Sequence, residues 1–314
     1  MVSILAIMLP VFGVIAIGWA AGRSGYLSDA TADGIADFAF KIALPALLFR
    51  TILLARFEGV APLGVLASFF GAAAIVWVLS ILMTRVVLKR PDVDGPSIAM
   101  ASVFGNSIML GLPIGVATLG PDALAPISVI IAVHAPVFLL TAALHEAAVG
   151  ARNGGSLGNA VRAIGTQLSR QPIVVAIVSA ALWRISVGSL PEPVLVLTDM
   201  LAKAGVPTAL VALGLTLRTF AVRGDGRSLS VLLGLKLLLM PLIAGFLAVA
   251  VCVLPKVSAE AVFLMAALPA GANAYVFSMK SGRATNAVSG AVALGTVLAA
   301  VTLTMLIAVL RAYG

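Results

Sequence analysis

Two short stretches decide the fold: Val103-Phe104-Gly105-Asn106-Ser107-Ile108-Met109-Leu110-Gly111-Leu112-Pro113 and Leu268-Pro269-Ala270-Gly271-Ala272-Asn273-Ala274-Tyr275. Each sets glycine, asparagine and proline near the centre of an apolar run. Proline lacks the amide that would bond to the preceding turn and its ring clashes there, while glycine weakens a helix by about 1 kcal/mol. Asparagine can bridge the groups so freed. In lipid, an interrupted backbone is tolerated only against protein or a watery cavity. A pair of kinked helices is the simpler alternative, but the same chemistry in two places favours broken helices that cross.

The surrounding chain is built for a bilayer. Its 314 residues are 61% hydrophobic and 10% charged, with a mean hydropathy of +1.17, where a soluble domain carries about 25% charge. That excludes a soluble domain and a disordered chain, and a lone Cys252 excludes an internal disulfide. The net charge of +8 does not point to nucleic acid, because the cations are scattered between apolar segments and form no basic patch. Residues 1 to 21 carry neither a basic leader nor a cleavage motif and read as a first span, not a removable signal.

A crossing helix needs about 20 apolar residues. Runs of that kind fall near 3–22, 32–55, 61–88, 97–119 and 123–149, and after a polar stretch from 150 to 171 they resume near 172–188, 193–219, 229–254, 258–280 and 284–311. The expectation is an all-α membrane protein of ten spans. With alternating connections, twelve basic residues (Arg23, Arg85, Lys89, Arg90, Arg152, Arg162, Arg170, Arg218, Arg223, Arg227, Lys280, Arg283) fall on one side and five (Arg50, Arg56, Arg184, Lys256, Arg311) on the other. The positive-inside rule then places the 150–171 linker in the cytoplasm and both termini outside it. Within that linker, Leu157 to Leu168 reads as a solvated connection, with a short interfacial helix as the alternative.

The halves are related. A constant offset of 162 lays Pro10 on Pro172, Asp37 on Asp199, Lys41 on Lys203 and Pro45 on Pro207 without a gap. The divisions are therefore 1–149 and 172–314, two five-helix repeats. Five spans, an odd number, separate the copies, so the second enters the membrane from the opposite side. Inverted repeats of this kind supply two equivalent states about a midplane site, which is the basis of alternating access. The interrupted stretches are the fourth member of each repeat, and their half-helix N-termini would present free amides and positive dipole ends to one point. An anion fits there.

The remaining intramembrane polar groups are few. Asp37 and Lys41, like Asp199 and Lys203, sit four apart on one helical face. A structural ion pair and a gating or proton-linked role are both open to them. Lys236 has no acid nearby in its own span and needs a cavity, a bound anion, a partner helix or an interface to snorkel to. His134 serves either in packing or in proton exchange. Tyr275 either closes the pocket or anchors packing. No zinc, nucleophile-elbow or phosphate-loop motif is present, so neither enzyme activity nor a cofactor or metal is expected.

The ten-span plan, Leu44-Pro45-Ala46-Leu47-Leu48-Phe49, Gly105-Asn106-Ser107 with Gly111-Leu112-Pro113-Ile114, and Pro269 to Phe277 resemble the auxin efflux carrier family over essentially the whole chain. That family includes plant PIN-type carriers and bacterial permeases for malonate, malate and related acids. The short 150–171 connection is similar to the bacterial members. The resemblance implies a fold similar to bile-acid symporters and sodium/proton antiporters: spans 1, 2, 6 and 7 as a dimerising scaffold, and spans 3–5 and 8–10 as a moving unit that contains Lys236 and His134. It implies that Gly105, Asn106, Ser107, Pro113, Gly271, Asn273 and Tyr275 hold the substrate at the crossing, with Pro45 and Pro207 facing it. The substrates it implies are small organic anions with a carboxylate. No counterpart of the relatives' sodium sites is identifiable, which leaves the coupling ion open. The expected function is an inner-membrane secondary carrier working as an elevator. A cation or proton antiporter cycling Asp37 and Asp199, a sodium-coupled symporter and a non-transporting membrane sensor are the alternatives.

Overall fold

The computed structural model describes residues 4–54, 60–150, 169–220 and 226–313, with 162, 165 and 166 between them. Most of the 150–171 linker, including most of the stretch from Leu157 to Leu168, lies outside the described residues. The architecture is all-helical. In order the α-helices are α1 Ile4–Arg23, α2 Asp29–Phe38, α3 Leu44–Leu54, α4 Pro62–Val86, α5 Gly95–Val103, α6 Leu112–Leu119 and α7 Leu124–Ala148. They continue with α8 Pro172–Ser186, α9 Glu192–Leu217, α10 Gly226–Leu233, α11 Met240–Phe246, α12 Lys256–Ala266, α13 Ala272–Ser281 and α14 Thr285–Tyr313. Among the described residues, five continuous helical stretches are long and apolar enough to cross a membrane: Pro62–Val86, Pro121–Ala148, Glu192–Leu217, Gly226–Val251 and Thr285–Ala308.

Several crossings are assembled from pieces, for a local reason. Widened π turns at Ala39–Ala43, Ser107–Gly111 and Gly234–Leu239 each end two residues before a proline, at Pro45, Pro113 and Pro241. The proline ring pushes back the carbonyl four residues earlier and offers it no amide, so the turn ahead of it opens to a five-residue repeat.

Close packing falls into two groups. In one, α9 runs against α1, α2 and α3, and α3 also meets α8. Glycine permits that closeness: a Cβ on Gly214 would stand 2.1 Å from the Ile15 carbonyl oxygen, and one on Gly18 would stand 2.5 Å from that of Val211. Gly205 likewise lies over Ala43, its would-be Cβ 3.2 Å from the Ala43 oxygen. Arg184 donates to the Ile52 carbonyl at 2.9 Å, tying α8 to the end of α3. The second group gathers α4–α7 with α10–α14, centred on α4 against α5, α11 and α12. Several of its buried hydroxyls turn back on their own helices, as Ser80 does to the Val76 carbonyl and Thr296 to that of Val292. Around the outside, Leu63, Val78, Leu182, Leu242 and Val249 are exposed, the surface a bilayer requires.

Candidate functional site

The two interrupted stretches meet. Helix α5 stops at Val103, Phe104 turns extended, and helical backbone resumes at Ser107; α12 stops at Ala266 and α13 begins at Ala272. Between these ends Gly105 and Ala270 pair as an antiparallel bridge. The Asn106 amide donates to the Pro269 carbonyl at 2.9 Å, and the Gly271 amide donates to the Phe104 carbonyl at 2.9 Å. Four backbone groups that the breaks would leave bare are thereby satisfied in a medium without water. Glycine is required here by proximity, since a Cβ on Gly271 would lie 3.1 Å from the Gly105 oxygen and 3.2 Å from Phe104 Cδ1.

Beside the bridge lies a cavity of about 90 Å³, lined by Gly105, Asn106, Ser107, His134, Gly271 and Asn273 together with Phe40, Phe104, Ile131, Gln171 and Ile173. At roughly 10–15 Å³ per water it holds a handful of waters or one small molecule. None of its lining side chains carries a fixed charge. Ile108 and Asn273, in the first turns of the two second-half helices, line it, and no intrahelical carbonyl can reach first-turn amides. Asn106 is buried and Asn273 exposed. Neither Asn106 nor Gly271 supplies a side-chain cap to the helix it starts, so the N-termini stay open to a ligand. Anions are favoured at such ends by about 0.3–1 kcal/mol each when exposed, and by more when partly buried. Gln171, immediately before α8, completes the wall.

His134, 3% exposed, shares a 3.3 Å hydrogen bond through Nε2 with Ser107 Oγ. Phe104 and Phe138 meet its ring edge-on, with centroids at 4.3 and 4.9 Å. The aromatic collar fixes the imidazole, and the imidazole fixes the hydroxyl at the first turn of the second half-helix. Lys236 stands behind the crossing instead of in the cavity. It is 1% exposed and donates to the Ala266 carbonyl at 2.8 Å, with Met240 Sδ at 3.5 Å.

The other sequence candidates lie off the cavity. Asp37 and Lys41 pair at 2.6 Å, about three-fifths exposed, next in the chain to the lining residue Phe40. Asp199 pairs with Lys203 at 2.7 Å and with Arg50 of α3 at 3.2 Å. Pro45 and Pro113 are buried, Pro207 is exposed, and Tyr275 packs edge-on against Phe220 with centroids 5.1 Å apart. Sequence reasoning missed Phe40, Phe104, Ile173 and Gln171. Of these only Gln171, a polar residue immediately before Pro172 and an apolar run, left a visible signal. No cluster of metal-ligating side chains occurs among the described residues.

Interrupted apolar helices that exchange backbone bonds beside a small polar cavity are the furniture of a membrane carrier, and comparison with known proteins agrees. A family model, "Membrane transport protein", matches residues 3–153 and 157–307, and the chain belongs to that auxin-efflux-carrier-like family of membrane transporters. Among its relatives is the "Putative malonate transporter" of Rhizobium meliloti (strain 1021), 23% identical over 314 residues, covering 99% of this chain and 97% of that protein. The lysosomal cholesterol signaling protein of Mus musculus is 26% identical over 110 residues, which is 34% of this chain and 12% of the mouse protein. The family and the malonate-named relative indicate a membrane transporter and not an enzyme.

Proposed function

We propose that the protein is a secondary carrier of the inner membrane that moves a small carboxylate, malonate or a similar acid, through the cavity at the crossing. The single observation behind this reading is that both second-half N-termini and two asparagines converge on a cavity that holds no acidic side chain. In this reading Asn106 and Asn273 hold the carboxylate through their amides, with Gly105, Ser107 and Gly271 supplying backbone and hydroxyl contacts. The malonate-named relative, aligned nearly end to end, supports the substrate class.

The same reading takes the chain as ten spans in a 5+5 inverted repeat, residues 1–149 and 172–314, with α1–α3, α8 and α9 as a dimerising scaffold. The second packing group is the moving unit, and both termini lie outside the cytoplasm. An asymmetry supports elevator-like alternation: Ser107–Gly111 and α6 rest on α9 and α1 of the scaffold, whereas α13, their counterpart in the second half, packs chiefly on α5 and α14. In this reading the half braced on the scaffold is the closed side and the cavity opens by way of Gln171. An antiporter cycling Asp37 and Asp199 is less well supported, since each carboxylate is already engaged by a lysine and neither lines the cavity.

Uptake of radiolabelled malonate into proteoliposomes tests the proposal. Each of Asn106→Ala and Asn273→Ala removes a hydrogen bond to a charged group, about 1.5–3 kcal/mol, and is expected to lower uptake at sub-saturating malonate by at least tenfold. Undiminished uptake by both variants removes these residues from the site, and no uptake of any short mono- or dicarboxylate by the native chain ends the reading.

A further inference from the structure

A crossing of broken helices gathers two kinds of helix end. The N-termini carry free amides and suit an anion; the C-termini of the first halves, α5 and α12, carry free carbonyls and suit a cation. Carriers built this way use such carbonyl ends to hold sodium. In this chain the end of α12 is already occupied. The Lys236 ammonium donates to the Ala266 carbonyl, the last residue of α12, at 2.8 Å.

Three observations indicate that this placement is built into the fold. Lys236 is 1% exposed and makes no ion pair among the described residues, so the α12 carbonyl end and whatever anion sits beyond the bridge are what offset a costly buried charge. The residue sits in the widened turn Gly234–Leu239, which the following Pro241 enforces, so its bearing is set by the backbone. The head group stands directly behind the bridge: Nζ lies 3.6 Å from where a Cβ on Gly105 would stand, and Gly105 itself lines the cavity.

We propose that Lys236 is a tethered substitute for an exchangeable cation: its ammonium fills the cation position behind the crossing, so the anion cavity binds its ligand without sodium. A hydrated sodium ion and an ammonium carry the same charge to the same carbonyl, but the tethered one is present at any salt composition. The inference rests on the carboxylate-carrier reading for the ligand in front of the bridge, and its own readout does not.

The test compares thermal unfolding of the purified full chain and of Lys236→Met in sodium chloride and in choline chloride at equal ionic strength, without substrate, and then repeats both with malonate. The native chain is expected to melt identically in the two salts and to bind malonate equally in both. Lys236→Met is expected to bind malonate about tenfold or more weakly in choline, and sodium is expected to raise its melting temperature and restore part of that affinity. A sodium-dependent melting temperature or malonate affinity in the native chain overturns the proposal, as does native-like malonate binding by Lys236→Met in choline. Should Lys236→Met not fold, the native chain decides alone: a flat response to sodium upholds the proposal and a sodium response overturns it. If the native chain binds no malonate while sodium stabilises only Lys236→Met, the substrate reading fails and the tethered cation stands.

Discussion

Adding one methyl group to Gly271 should cripple the carrier while leaving it folded. The new Cβ would lie 3.1 Å from the Gly105 oxygen, 3.2 Å from Phe104 Cδ1 and 3.3 Å from the Gly105 carbonyl carbon. Ordinary contact needs a few tenths of an ångström more, and two of the three atoms are backbone that cannot rotate away. The bridge must open by that amount, which takes its two hydrogen bonds from 2.9 Å to the edge of the bonding range near 3.2–3.3 Å. Weakening two bonds of about 1 kcal/mol each, together with overpacking of about 1–3 kcal/mol, gives roughly 2–4 kcal/mol at the crossing. If most of that falls on the geometry that holds the ligand, malonate uptake at low concentration drops by a factor of about thirty to several hundred. The assay is initial uptake in proteoliposomes with the amount of inserted, monodisperse protein measured in parallel. Gly34→Ala serves as the control, since its Cβ would meet nothing within 4 Å. Uptake by Gly271→Ala within twofold of the native chain refutes the reasoning.

Gly214→Ala should act on the fold instead: with three backbone atoms of α1 at 2.1–3.0 Å from the new Cβ, α1 and α9 must part, and the purified variant should melt well below the native chain or fail to be recovered. A melting temperature equal to the native one contradicts the close packing. Ser107→Ala, His134→Phe and the double variant should show coupled stabilities of about 0.5–3 kcal/mol in a double-mutant cycle, because the first change alone strands a buried imidazole nitrogen; additive effects deny the hydrogen bond. In a Cys252→Ser background, a cysteine placed at Gln171 should react with a membrane-impermeant maleimide from the side of the 150–171 connection and be shielded by malonate. Labelling from the opposite side alone reverses the proposed opening.

The interruptions were legible because their chemistry is local: glycine, asparagine and proline at mid-span announce a backbone that cannot continue. The pairs Asp37–Lys41 and Asp199–Lys203 were legible for the same reason, being one helical turn apart. What sequence could not display is partnership at a distance. Arg50 reaches Asp199 across two helices, and Lys236 reaches a carbonyl thirty residues on, whose acceptor has no side-chain signature at all. The cavity wall at Phe40, Phe104 and Ile173 was equally invisible, since in an apolar chain a lining residue and a lipid-facing one are spelled alike. Pro45, Pro113 and Pro241 were plain to see, but the widened turns ahead of them follow from sterics that act only once each helix has formed.

The bridge at Gly105 and Ala270 also works as a weld. Because each interrupted segment takes a hydrogen bond from the other, neither can slide without dragging its mate. On the proposed elevator reading, any excursion across the bilayer would carry both halves of the cradle together, and cargo would leave through one mouth still held by the groups that received it at the other. Selectivity would then rest on the few side chains of the wall, Asn106 and Asn273 among them, while the bridge that holds them together is made of main-chain hydrogen bonds.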